Sequence, residues 1–288
     1  MKWVKRIGPI VIVLLLVSVA VLWMLPHTAE IPQGLRVEIL DVGQGDCVLI
    51  RQGKWAMMID TSTAMEREHV RAALHDRAIE HLDYLVLTHP HEDHIGNARM
   101  IVESYTVSAV LLSNADGEGT DQYLIEDAAA RRGTPVRRLA TGEMLALGEA
   151  EVEVLYAPTG AKDVNDDSLV LRVTYGETAF LFTGDAEKKG EAALLAAVPA
   201  EKLKCDLLKA GHHGSENSMG EGLLSAASPR YAPISCGKEN EYGFPHNAVL
   251  ERLTERGIPV HRTDLYGDLI YDSDGVTVTF INEDGGGK

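Results

Sequence analysis

Three histidines and an aspartate fall within six residues, in the stretch His89-Pro90-His91-Glu92-Asp93-His94. Imidazole nitrogens and carboxylate oxygens form a donor set that suits Zn and also the harder Mn or Fe. In an extended segment alternate side chains point the same way, so His89 and His91 can reach one point in space. A turn at Asp93 lets Asp93 and His94 face a second point close by. The pattern therefore suits two divalent cations held side by side.

The elements that must position these residues are legible as apolar runs. Tyr84-Leu85-Val86-Leu87 empties into the histidine loop, and three more runs end in metal-type residues. Residues 56–59 end at Asp60, residues 179–182 lead through Thr183-Gly184 to Asp185, and residues 205–210 lead through Gly211 to His212 and His213. Each reads as a buried strand opening into a loop, and loops leaving one edge of a covered sheet are where an α/β protein builds its site.

The remaining pattern agrees. Residues 47–51 and 55–59 read as a hairpin around Gln52-Gly53-Lys54, and 168–175 and 178–183 as another across Gly176-Glu177. Helical periodicity covers 66–80, 121–132, 187–197 (opened by Asp185) and 248–256, and 214–227 starts as a loop and becomes helical. Short strands are expected at 108–112, 136–139, 152–156, 259–261, 268–271 and 276–281. Hairpins followed by alternating helices and strands occur twice, as two packed sheets covered outside by helices would require.

The chain has 288 residues, 45% hydrophobic and 24% charged, which is ordinary for a globular protein. Lys and Arg number 27 against 43 Asp and Glu, a net charge of −16. That balance argues against a surface that coats nucleic acid. It leaves a nucleic acid substrate open, because bound dications and local basic groups such as Arg131, Arg132, Arg137 and Arg138 can make a site positive. Cys47, Cys205 and Cys236 are far apart with no C-x-x-C, so neither a disulfide framework nor a disulfide-linked partner is expected.

Lys2, Lys5 and Arg6 precede an uncharged run at 7–25, long enough to span a bilayer as a helix. The basic flank belongs in the cytoplasm, which places the rest of the chain outside as a single-pass membrane protein. A cleaved signal segment, and hence secretion, is the rival reading. The expected organisation is an anchor or signal segment with its linker at 1–30 and a hydrolase domain at 31–288.

The histidine loop, Thr183-Gly184-Asp185 and the late His212 together resemble the metallo-β-lactamase superfamily over about residues 35–281. Within it, the chain looks more closely like the extracytoplasmic hydrolase domain of the ComEC-type competence proteins. The shared marks are Asp41-Val42-Gly43-Gln44-Gly45-Asp46, Asn165-Asp166-Asp167-Ser168-Leu169-Val170-Leu171, Lys209-Ala210-Gly211-His212-His213-Gly214-Ser215, Tyr242-Gly243-Phe244-Pro245-His246 and Arg262-Thr263-Asp264. The resemblance implies a four-layer αββα sandwich, preceded here by one N-terminal hydrophobic helix. It also implies a metal-dependent phosphodiesterase or nuclease with a phosphodiester substrate, DNA among the candidates. The pneumococcal-type phosphorylcholine esterases look similar around the metal centre, which keeps a cell-wall phosphoester hydrolase as an alternative. A non-catalytic metal-stabilised module of a DNA-uptake system is a third reading. Two departures stand out. Phe244 stands where the family usually has the His of Gly-His-Pro, and no His occurs between 95 and 184, where classical members supply a ligand.

By the resemblance, two cations, Zn or Mn, are expected. His89 and His91 would hold one, and Asp93, His94 and His212 the other. Asp185 would bridge them through its two oxygens. Catalysis would fall to Asp93, Asp185 and His213, with His213 facing substrate and the reverse assignment of His212 and His213 left open. Asp60 would orient a ligand histidine, and Asn165 and Ser168 would act through water. Lys238, His246, Arg262 and Ser215 are the candidates for holding substrate. Paired cations about 3.5–4 Å apart clamp both oxygens of a phosphodiester displacement, and bound water falls from a pKa of 15.7 toward about 7.

Overall fold

The computed structural model describes residues 31–115 and 120–281. The hydrophobic helix expected at 7–25 lies outside these residues. Among the described residues no helix is long and apolar enough to cross a membrane.

Two sheets carry the fold. The larger has eight strands in the spatial order Val278–Ile281, Leu269–Ser273, Leu35–Ile39, Val48–Gln52, Trp55–Ile59, Tyr84–Leu87, Val110–Leu112, Val136–Arg138. The smaller has five, Leu207–Lys209, Thr178–Phe182, Val170–Tyr175, Ala150–Tyr156 and Met144–Leu147. Strand alternation sends side chains to opposite faces, and here both faces are apolar. Val48, Ile50, Met57, Ile59 and Val86 meet Val152, Val154, Leu171, Phe180 and Phe182 between the sheets. Leu49, Met58, Leu85 and Leu87 point the other way, onto Val70, Leu74, Ile101 and Ile125 of the outer helices. Leu155, Val170, Leu181 and Leu208 do the same on the second sheet, against Leu194, Leu223, Leu224 and Leu253. This is the expected αββα layering, and each fully buried side chain of this size contributes roughly 1.5–3 kcal/mol relative to exposure.

Parallel pairing sets where the loops emerge. Trp55–Ile59 runs parallel to Tyr84–Leu87 with Ile59 opposite Val86, so the loops at Asp60 and Thr88 leave side by side. Thr178–Phe182 runs parallel to Leu207–Lys209 with Phe182 opposite Lys209, which brings the Asp185 and His212 loops together.

Several elements differ from the sequence reading. The first helix is Arg67–Asp76, shorter than 66–80, and Ala78 just beyond it takes a left-handed φ of 49°. The helix assigned to Asp185 begins at Lys188 with Glu187 before it, because the Asp185 carboxylate is turned into the interior. Met144–Leu147 adds an unexpected edge strand. It alternates exposed and buried side chains as an edge should, but is too short to show between its flanking turns.

Candidate metal centre

Asp60 follows its strand with φ 58°, a strained value for a non-glycine residue. That turn directs its carboxylate back over the histidine loop. Oδ1 accepts from the Thr88 backbone N–H at 2.8 Å and Oδ2 from Thr88 Oγ1 at 2.7 Å. Oδ2 also lies 2.8 Å from His94 Nδ1. With Nδ1 engaged, His94 presents Nε2 to Asp185 Oδ2 at 3.1 Å. Ser168 Oγ accepts from the Asp185 backbone N–H at 3.1 Å and fixes the loop that carries this carboxylate.

The late histidines leave their strand through two consecutive left-handed residues, His212 at φ 46° and His213 at φ 53°. This turn sends the two rings in different directions. His213 is buried, with Nδ1 3.2 Å from Asp46 Oδ1 and 3.1 Å from the Ser235 carbonyl. Its Nε2 lies 3.2 Å from Asp93 Oδ2 and 3.4 Å from Asp185 Oδ2. His212 stands on the cleft wall with Nδ1 2.9 Å from Glu187 Oε1, and its Nε2 is 3.9 Å from Asp185.

The ligand atoms of Asp93, His94, Asp185 and His213 consequently lie within 4.8 Å of one another. The expectation placed His212 in this group and His213 toward substrate, and the structure arranges the two the other way round. His89 and His91 approach each other instead, Nε2 to Nδ1 at 3.1 Å. Among the described residues they belong to no group of three or more donors.

Electrostatics within the cluster are strong. Burial raises the Asp185 carboxyl, but His94 and His213 outweigh it and hold it well below its ordinary range. Burial lowers His94, yet Asp185 and Asp60 outweigh that and hold it well above its ordinary value. His213 is lowered by burial and raised more by Asp185 and Asp46, to about 9. His89 is driven well down by burial and the nearby His94, so its ring is neutral with a lone pair to offer. Three atoms of the cluster, His94 Nε2, His213 Nε2 and Asp185 Oδ1, are buried and lack a hydrogen-bonding partner. Buried polar atoms are almost always satisfied. Nitrogen and carboxylate donors converging with unsatisfied atoms fit a divalent cation.

The cluster lies at the base of a cleft of about 650 Å³. Asn165 lines it, with a buried Oδ1 that lacks a partner. The four residues expected to hold substrate do not line it. Lys238 is exposed elsewhere. Arg262 is occupied by Asp264 through Nε at 2.9 Å and Nη2 at 2.6 Å. His246 Nδ1 accepts from the Glu216 backbone N–H at 3.0 Å, and buried Ser215 accepts from the Asn217 backbone N–H at 3.3 Å. Arg262 and Ser215 are engaged by near sequence neighbours, and His246 by a residue of another loop.

A family model, that of the metallo-beta-lactamase superfamily, matches residues 40–238. The chain belongs to the metallo-β-lactamase superfamily. This superfamily member is 33% identical over 258 residues to ComE operon protein 3 of Bacillus subtilis, covering 82% of the chain and 32% of that protein. It is 32% identical over 236 residues to Competence protein ComA of Neisseria gonorrhoeae, covering 81% of the chain and 31% of that protein. The chain thus spans about a third of the length of the curated relatives it matches. The metallo-beta-lactamase fold protein YhfI from Bacillus subtilis superposes with a TM-score of 0.55 at 13% identity, covering 79% of the chain and 96% of that protein, which shows the shared fold.

Three residues of this superfamily member escaped the sequence reading as parts of the site. Asp46, read only within the Asp41–Asp46 stretch of shared marks, lies with Oδ1 3.2 Å from His213 Nδ1 and bonds to the buried Lys209. Its backbone N–H also donates to the Asp93 carbonyl at 3.0 Å. Lys209 carried a signal, since a lone charge inside an apolar strand needs a buried partner. Glu187, which holds His212, carried none.

Proposed function

We propose that the chain is a metal-dependent phosphodiesterase of the nuclease kind, with DNA as its polymer. The observation that carries this reading is the convergence of buried, unpartnered His94 Nε2, His213 Nε2 and Asp185 Oδ1 at the foot of an open cleft. Asp93, His94, Asp185 and His213 would hold one cation, and His89 and His91, whose rings approach each other, would contribute to a second, Zn or Mn in each. Such cations supply Lewis acidity toward a phosphoryl oxygen and lower the pKa of water. The protein's own part is positional. Asp60 holds the His94 ring and the Ser235 carbonyl the His213 ring through Nδ1, which selects the tautomer that offers Nε2. His212, tied to Glu187 through Nδ1, is the residue on the cleft wall able to pass a proton to a leaving oxygen. One relative bears the name Competence protein, which supports DNA. The uncharged run at 7–25 supports residues 1–30 as an anchor or signal segment and 31–288 as a hydrolase domain outside the cytoplasm.

A phosphoester bearing a choline-like cation is the second reading. Its support is the exposed Tyr242 in a cleft also lined by Glu66 and Glu241 and, among the described residues, by no Lys or Arg.

The test is hydrolysis of single-stranded DNA, double-stranded DNA, bis-p-nitrophenyl phosphate and p-nitrophenylphosphorylcholine by the Zn- or Mn-loaded chain and by Asp185→Ala. The expected result is metal-dependent DNA and diester turnover that Asp185→Ala loses by several orders of magnitude. Equal turnover by both proteins would remove the proposal.

A further inference from the structure

We infer that the substrate groove continues past the metal centre on both sides, with Tyr242 stacking a nucleobase on one side and Lys162 holding a neighbouring phosphate on the other. The inference rests on the phosphodiesterase reading and adds what the enzyme grips beyond the scissile bond. A second cleft, of about 640 Å³, is lined by Pro90, His91, Lys162, Asp163 and Asp167 among others. His91 also lines the first cleft, so the two meet at a side chain of the histidine loop. A monoester needs room on one side of its phosphorus only, whereas a diester within a polymer needs room on both.

The two arms differ in chemistry. On the first side Tyr242 is 56% exposed, and its ring lies parallel to Phe244 with centroids 5.4 Å apart and an interplanar angle of 16°. Phe244 in turn packs at 5.4 Å against His212 and 6.2 Å against His213. The outer face of Tyr242 is therefore a flat platform whose position is fixed relative to His212 and His213. Stacking on such a ring is tolerant of base identity. On the second side Lys162 is exposed, and among the described residues it is the sole Lys or Arg lining either cleft, with Asp163 and Asp167 in the same lining. Metal ions would neutralise the scissile phosphate alone, so the next phosphate along the strand needs its own counter-charge, and Lys162 is placed to supply it.

The experiment uses the full metal-loaded chain and compares kcat/KM for a single-stranded oligonucleotide with that for bis-p-nitrophenyl phosphate. Tyr242→Ala should lower the oligonucleotide-to-diester ratio roughly tenfold, and Tyr242→Phe should restore it. Lys162→Ala should lower the same ratio and reduce the log–log salt slope of oligonucleotide kcat/KM by about 0.7. Both residues are exposed, so thermal melting should match wild type. If wild type cleaves both substrates and the ratio stays fixed in both variants, the groove is overturned while the phosphodiesterase reading stands. If Tyr242→Ala instead impairs p-nitrophenylphosphorylcholine selectively, the platform serves a quaternary ammonium and the groove is overturned in favour of it. If wild type cleaves neither substrate, the phosphodiesterase reading falls and takes the groove with it.

Discussion

Asp60 Oδ2 and His94 Nδ1 lie 2.8 Å apart, with both side chains sealed from solvent. The backbone N–H of Thr88 holds the other oxygen of Asp60, so the carboxylate cannot swing away and His94 Nε2 stays aimed at Asp185. Asp60→Asn keeps the shape but can place an amide donor against Nδ1. The expected outcome is about 10–100-fold weaker binding of Zn or Mn, as measured by calorimetric titration. Unchanged affinity would mean that something else holds the ring.

Lys209 and Asp46 pair in the interior, at 1% and 3% exposure. Lys209→Met strands a buried carboxylate, and breaking a buried pair from one side costs about 3–5 kcal/mol. Urea unfolding should show that loss. The double variant Asp46→Asn/Lys209→Met removes both charges and should recover part of it. A double variant no more stable than Lys209→Met would refute the buried-charge account.

Gly45 sits at φ 133°, in the glycine-favoured region, and a Cβ there would lie 2.6 Å from the Asp93 carbonyl oxygen and 2.8 Å from Ser62 Oγ. Gly45→Ala should therefore lower stability by about 1–3 kcal/mol and displace Asp93, weakening metal binding as well. Gly53→Ala is the control, since φ is also positive at 57° but nothing lies within 4 Å. If Gly45→Ala costs no more than Gly53→Ala, the tight approach of the two loops is not the constraint.

Burial raises the Glu191 carboxyl from 4.5 to about 7, although Met219 and Gly220 donate backbone N–H bonds to it at 2.6 and 2.9 Å. Its folded pKa exceeds its unfolded one, so the native state binds the extra proton. The associated stability is complete below about pH 4.5 and is lost as pH rises through about 7. Within that window the slope is about 1.4 kcal/mol per pH unit for one group. Glu191→Gln should flatten this part of a stability–pH curve recorded by urea unfolding, and an unchanged curve would contradict the assignment.

The residues that could carry chemistry were readable from local order alone. His89, His91, Asp93 and His94 share one short loop, and Asp60, Asp185 and the His212-His213 pair each end an apolar run, so strand periodicity announced both the layers and the sheet edge where donors gather. The hairpin with Tyr175 opposite Thr178 was equally local, since two turn residues set its register. Periodicity could not say which of two adjacent histidines points inward. Two left-handed residues decide that, and the inward one, His213, lies beside Asp46, 163 positions before the Lys209 that pairs with Asp46. Arg262, by contrast, closes on Asp264 only two residues away. The pairing of Lys209 with Asp46 and the approach of His213 to Asp93 depend on loops meeting from two sheets, and neither strand spacing nor motif order encodes that meeting, because it arises only when packing brings distant backbone together.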